Sequence, residues 1–183
     1  MSSNIILVTG GSRSGKSTFA EKLYDNNNDV TYIATAIITD DEMESRIKIH
    51  QETRNHNWKT IEQYKDLHKR VEQIDSKNIL LDCVTVMISN LIFDSDYNFD
   101  QVTHFDIIHL EKEITTQFEL LIKEVRLQNK NLVLVTNEVG YGLVSEYKLG
   151  RIFSDITGRV NQKLALWSNE VYLVACGLPI KLK

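Results

Sequence analysis

Ile5-Ile6-Leu7-Val8-Thr9-Gly10-Gly11-Ser12-Arg13-Ser14-Gly15-Lys16-Ser17 sets an apolar run, a glycine-rich bend and a lysine in fixed order near the start of the chain. The run Ile5–Val8 predicts a strand, and Lys16–Tyr24 has a helical pattern. Between them, Gly10 to Ser17 follow the Walker A spacing, whose physical meaning depends on that strand-to-helix context. Glycines let the backbone bend tightly and turn successive N–H groups toward one point. The helix that follows aims its unpaired N–H groups and positive dipole end at the same place. Such a bend binds an anion. Lys16 is expected to reach the β- and γ-phosphates of ATP or GTP, and the Ser17 hydroxyl to ligate Mg2+.

Working outward, short apolar runs alternate with helical patterns along the whole chain. The strands expected after the first are Val30–Ala34, Ile79–Leu81, Leu132–Val135, Val171–Ala175 and a short Pro179–Leu182. The helices expected between them are Asp40–Arg54, Lys65–Ile74, Val84–Phe93, His104–Leu127 and Tyr147–Trp167. Alternation of this kind predicts an α/β, P-loop NTPase fold, a mostly parallel sheet flanked by helices. The continuous apolarity of the strands suits burial on both faces. Thr39-Asp40-Asp41-Glu42 reads as a capping box at the start of the second helix. With 183 residues, a single proline and no repeat or linker, the chain reads as one domain over 1–183.

Composition narrows the partners. A formal net charge of −4 argues against nucleic acid or an anionic membrane as the main partner. No apolar run approaches the length of a membrane span, and no basic segment precedes a long apolar one, so a cytoplasmic protein is expected. The two cysteines, Cys83 and Cys176, each end an apolar run and read as small buried hydrophobes.

Two further groups bear on chemistry. Asp82 follows the strand Ile79–Leu81 as a Walker B carboxylate would, and is the leading candidate to join Ser17 at the metal; Glu138 also follows a strand and competes for that role. On the second predicted helix, Met43, Ile47, His50 and Arg54 share one face, with Arg46 on a neighbouring line. A neutral imidazole between guanidinium groups is what a nucleophile attacking a phosphate requires. A signalling GTPase is disfavoured. Asp155-Ile156-Thr157-Gly158 has one of its spellings but lies late, in a helical pattern, and Asn129-Lys130-Asn131-Leu132 lacks the aspartate for guanine. A monofunctional small-molecule kinase and a nucleotide-gated interaction protein remain as alternatives.

The chain resembles the bifunctional adenosylcobinamide kinase/adenosylcobinamide-phosphate guanylyltransferases of cobalamin biosynthesis. The resemblance is carried by Val8 to Ser17, Tyr32-Ile33-Ala34-Thr35, Asp41-Glu42-Met43 with Arg46-Ile47 and His50, and Arg54, Trp58, Thr60 and Glu62. It continues through Leu81-Asp82-Cys83, Ser89-Asn90-Leu91, Thr136-Asn137-Glu138-Val139-Gly140, Gly158-Arg159-Val160-Asn161-Gln162 and Gly177 to Leu182. It implies phosphorylation of adenosylcobinamide with ATP or GTP, then transfer of GMP from GTP to adenosylcobinamide phosphate through a guanylylated histidine matching His50. The implied nucleotide contacts are the Gly10–Ser17 loop, Thr35 and Ala36, Gln51, Glu52, Thr53 and Arg54, Glu62, and Asp82 with Cys83. A carboxylate at Glu62 suits guanine, which offers two N–H donors on one edge. The resemblance also implies a homotrimer. Departures are Ser145 where the family pattern often has proline, Trp167-Ser168-Asn169-Glu170 in place of an Ala-rich acidic stretch, and no proline after Glu62.

Overall fold

The computed structural model describes residues 3–37 and 55–183. The predicted helix Asp40–Arg54 and its capping box at Thr39 and Glu42 lie outside the described residues. In chain order the described elements are β1 (Ile5–Thr9), α1 (Lys16–Lys22), β2 (Val30–Ala34), β3 (Lys59–Glu62), α2 (Leu67–Val71), β4 (Asn78–Asp82), α3 (Val84–Phe93), α4 (His104–Leu127), β5 (Asn131–Val135), α5 (Lys148–Trp167), β6 (Glu170–Ala175) and β7 (Leu178–Lys181). They form one seven-stranded sheet in the order β3-β2-β4-β5-β1-β6-β7. Every neighbouring pair is parallel except β6 and β7, which close the sheet as an antiparallel hairpin.

Successive residues of a strand point to opposite faces, and here both faces are covered. Ile5, Leu7, Ile33, Ile79, Leu81, Leu132 and Leu134 share a cluster with Met87 and Ile88 of α3, Phe118 and Leu121 of α4, and Ile156 and Val160 of α5. Val8, Val30, Tyr32, Leu80, Val133, Val135 and Val174 form the opposite layer with Ala20 of α1 and Trp58. Each large aliphatic side chain fully buried in these layers contributes about 1.5–3 kcal/mol. This is why the central strands read as unbroken apolar runs.

α4 begins with a capping box that satisfies two backbone donors reciprocally: Asp106 N–H donates to Thr103 Oγ1 and Thr103 N–H to the Asp106 carboxylate. Among the described residues no helix is long and apolar enough to cross a membrane.

Three sequence expectations change. β3 was not anticipated, because Lys59-Thr60-Ile61-Glu62 is an edge strand with only Ile61 partly buried, leaving no apolar run to read. The helix expected over Lys65–Ile74 is the single short α2, entered through Asp66 at φ +54° and left through turns. Cys176 is exposed rather than buried: β6 ends at Ala175, and Cys176 with φ +52° turns the chain into β7. Asp155–Gly158 lies within α5, which removes the switch-like reading of that motif.

Candidate active site

The C-terminal ends of the parallel strands line one edge of the sheet, where ligands of open α/β folds bind. β1 delivers the glycine-rich bend to that edge. Gly10 at φ +152°, Arg13 at +56° and Gly15 at +94° produce the tight reversal. A Cβ on Gly10 would sit 2.3 Å from the Val174 carbonyl oxygen, so only glycine passes this close to β6. The bend is pinned on two sides: Glu138 N–H donates to Gly10 O at 2.9 Å and Gly177 N–H to Ser14 O at 2.9 Å. Gly11, Ser12 and Arg13 are exposed at its crest.

Lys16, only 7% exposed, folds back so that its Nζ donates to Gly11 O at 2.5 Å. Burial pulls its pKa below the ordinary lysine value, while the neighbouring Cys83 and Asp82 oppose that shift. The Ser14 hydroxyl, within the cradle, and the Thr9 hydroxyl, at its root, are buried without a hydrogen-bond partner. Such orphans cost about 1–3 kcal/mol each, a cost that oxygen-rich anionic ligands relieve.

Asp82 ends β4, and its carboxylate accepts from Tyr32 Oη at 3.1 Å. The next residue is clamped to β2. Thr35 Oγ1 donates to Cys83 O at 2.7 Å and accepts from Cys83 N–H at 2.9 Å, while Asn90 Nδ2 donates to Thr35 O at 2.8 Å. Ala36 follows, half-buried. Burial, reinforced by Asp82, pushes the Cys83 thiol up to about 11, so it is a neutral thiol near pH 7 rather than a nucleophilic thiolate. Thr85 accepts from both Asn137 N–H and Asn137 Nδ2, and Thr136 Oγ1 donates to Asn161 on α5. These links tie the ends of β4 and β5 to the helices behind them.

Sheet register gives the layout across the edge. Glu62, Ala34, Asp82, Val135 and Val8 occupy one row on β3, β2, β4, β5 and β1. With strands about 4.8 Å apart, exposed Glu62 lies roughly 19 Å, four strands, from the strand that delivers the bend. Glu138 Oε1 accepts from Gly140 N–H at 3.0 Å, which occupies one oxygen of the competing metal-site candidate. His50, Gln51, Glu52, Thr53 and Arg54 lie outside the described residues. Sequence reasoning did not single out Tyr32, Thr85, Asn90, Asn137 or Asn161 for the site; their roles depend on contacts between distant strands and helices, which spacing along the chain does not encode.

Among the described residues no three His, Cys, Asp or Glu side chains cluster as a metal cage. The Ser17 hydroxyl and the Asp82 carboxylate are hard oxygen donors, of the kind from which Mg2+ takes one or two beside phosphates and water.

A glycine-rich bend after a central parallel strand, a buried lysine on its helix and a carboxylate two strands away in the same register row define a P-loop nucleotide-binding protein. Within that class, the chain belongs to the cobinamide kinase / cobinamide phosphate guanyltransferase family, whose sequence model matches residues 6–182. It is 44% identical over 181 residues to the bifunctional adenosylcobalamin biosynthesis protein CobU of Escherichia coli (strain K12), covering 98% of this chain and 99% of that protein. The CobU protein of Salmonella typhimurium is 42% identical over 98% of this chain and 99% of its own length. The bifunctional adenosylcobalamin biosynthesis protein CobP of Pseudomonas aeruginosa is 32% identical over 97% of this chain and 96% of its own. Among solved structures, a KaiC-like protein from the archaeon Pyrococcus horikoshii OT3 superposes with a TM-score of 0.52 at 12% identity, covering 94% of this chain and 72% of that one. At that identity the likeness concerns the fold alone.

Proposed function

We propose that this chain carries out both reactions named by its family at one phosphate cradle, and that buried Lys16, folded onto Gly11 O within the Gly10–Ser17 bend, is the observation that carries the reading. In the first reaction the γ-phosphoryl of ATP or GTP passes to the hydroxyl of adenosylcobinamide. Backbone amides of Gly11 to Ser17 and the Lys16 ammonium hold the β- and γ-phosphates and stabilise charge in the transition state. Ser17 and Asp82 would hold Mg2+, which when bound neutralises phosphate charge. Tyr32 orients the Asp82 carboxylate, and Thr35 fixes the Cys83 backbone beside it.

In the second reaction His50 attacks the α-phosphorus of GTP, pyrophosphate leaves, and the GMP group then passes to adenosylcobinamide phosphate to give adenosylcobinamide-GDP. Arg54 and the stretch Gln51, Glu52 and Thr53 would hold the triphosphate beside it. Glu62 would accept from the guanine edge; its exposure at the end of β3, in the same register row as Asp82, supports that role. We read the protein as a cytoplasmic homo-oligomer, a trimer by resemblance, and sedimentation of the purified chain tests that reading.

The test is cobinamide with ATP and GTP, products followed by mass, alongside incubation with α-labelled GTP. The expected results are cobinamide phosphate, then the GDP-linked corrinoid, and acid-labile label on the protein that His50→Ala abolishes while phosphorylation survives. Phosphorylation without labelled protein would instead favour a monofunctional kinase. Slow GTP hydrolysis with no corrinoid product would favour a nucleotide-gated interaction protein.

A further inference from the structure

β5 lies between the strand that delivers the glycine-rich bend and the strand that delivers Asp82. The loop leaving β5 therefore emerges between cradle and carboxylate, on the side from which an acceptor can meet a phosphoryl group held there. Its root is fixed to the site: Glu138 N–H donates to Gly10 O, and Asn137 donates twice to Thr85 Oγ1. Both ends of the segment beyond are tethered. Gly140 N–H donates to Glu138 Oε1 at 3.0 Å, and Arg151 Nη1 donates to the carbonyls of Ser145 and Glu146 at 2.9 and 2.8 Å. Tyr147 N–H adds a bond to Ser145 Oγ at 3.2 Å.

Between these tethers Tyr141 is 83% exposed, Leu143 102%, Val144 83% and Tyr147 79%. Four large apolar side chains within seven residues, held out into water beside the cradle, are a surface built to be covered. The bend and Asp82 can grip phosphates but present no apolar surface of this size. A corrinoid is a broad macrocycle, larger than the nucleotide, whose ring carries methyl groups between its amide arms and so offers extended apolar surface.

We propose that residues 140–147 are the platform on which the corrinoid acceptor lies, with Tyr141, Leu143 and Val144 against the methyl-bearing surface of its ring. This rests on the cobinamide reading above. Continuity with the phosphate cradle favours the acceptor over a second copy of the chain as the occupant.

The test uses the full chain carrying Tyr141→Ser and Leu143→Ser together. KM for cobinamide should rise about tenfold or more, the effect of exposing even part of two such side chains. KM for ATP, protein labelling by α-labelled GTP, thermal stability and sedimentation should stay at wild-type values, and Leu143→Met should keep the wild-type KM for cobinamide. An unchanged KM for cobinamide in the double variant overturns the platform while leaving the enzyme assignment intact. A change of oligomeric state that accounts for the KM effect overturns it in favour of a subunit contact. A wild-type chain that phosphorylates no cobinamide sinks the functional reading, and the platform with it.

Discussion

One added methyl group, placed at Gly10 or at Gly11, sets two adjacent glycines of the cradle against each other. At Gly10, with φ +152°, the new Cβ would lie 2.3 Å from the Val174 carbonyl oxygen and 2.8 Å from Ser14 Oγ. Carbon–oxygen contacts normally close to about 3.3–3.6 Å, so bend and β6 must separate by about 1 Å. β6 resists, because Val174 is paired with Pro179 of the terminal hairpin and sits in the core layer with Val8 and Ala20. The bend must yield instead, and a displacement of about 1 Å in a catalytic constellation costs roughly a hundredfold in rate. Overpacking adds a stability loss of about 1–3 kcal/mol. At Gly11 a Cβ meets nothing within 4 Å and φ is not positive, so Ala there should stay within about 0.5 kcal/mol of wild type. The assay is kcat/KM for cobinamide phosphorylation, with urea unfolding of the same samples. Equal losses in Gly10→Ala and Gly11→Ala would refute the claim that close approach to β6 shapes the cradle.

Three further outcomes follow from the same geometry. Because burial lowers the Lys16 pKa and a bound triphosphate favours its charged form, nucleotide binding should take up protons at alkaline pH, and affinity should fall there before an ordinary lysine would titrate; calorimetry in buffers of different ionisation heat measures the uptake, and none at all would contradict it. Thr35→Val keeps shape but strands the Cys83 N–H, while the Cys83 carbonyl still accepts from Met87 N–H, costing about 1–3 kcal/mol in urea unfolding, whereas a loss under 0.5 kcal/mol would show the clamp to be dispensable. Hydrogen bonds from Lys181, Tyr172 and Asn4 hold the Glu170 carboxyl down at about 2. Its folded value lies below its unfolded one, so its contribution is present above pH 4.5 and lost as pH falls toward 2. Glu170→Gln should therefore remove about 1 kcal/mol near neutrality, after solvent screening, and flatten the acid limb of the stability profile.

The cradle was legible because its chemistry is local: strand, glycines, lysine and helix follow one another within about a dozen residues. The central strands were legible for a related reason, since burial on both faces leaves an apolar run whatever the strand order. Helices α3, α4 and α5 matched their expected bounds to within a residue because each carries a long helical pattern. What failed was set by context. β3 pairs on one side only, so alternation gave way to Lys59, Thr60 and Glu62 facing water. Cys176 sits where the chain must reverse into β7, a fact fixed by pairing with β6 rather than by its own neighbours. Asn137, Thr85 and Asn161 meet only because β5, α3 and α5 converge, and a network of that kind joins residues up to 76 positions apart without leaving a spacing to read.

The whole account turns on the grip of the Gly10–Ser17 bend on polyphosphate. Titration calorimetry of the purified chain with ATP and GTP, with and without magnesium, and of Lys16→Ala under the same conditions, measures it directly. Magnesium-dependent binding of both triphosphates, weakened about thirtyfold or more in the folded variant as expected for loss of a buried charge partner, is the predicted result. Wild-type protein that binds neither triphosphate, or a Lys16→Ala chain that binds them as tightly as wild type, would contradict it.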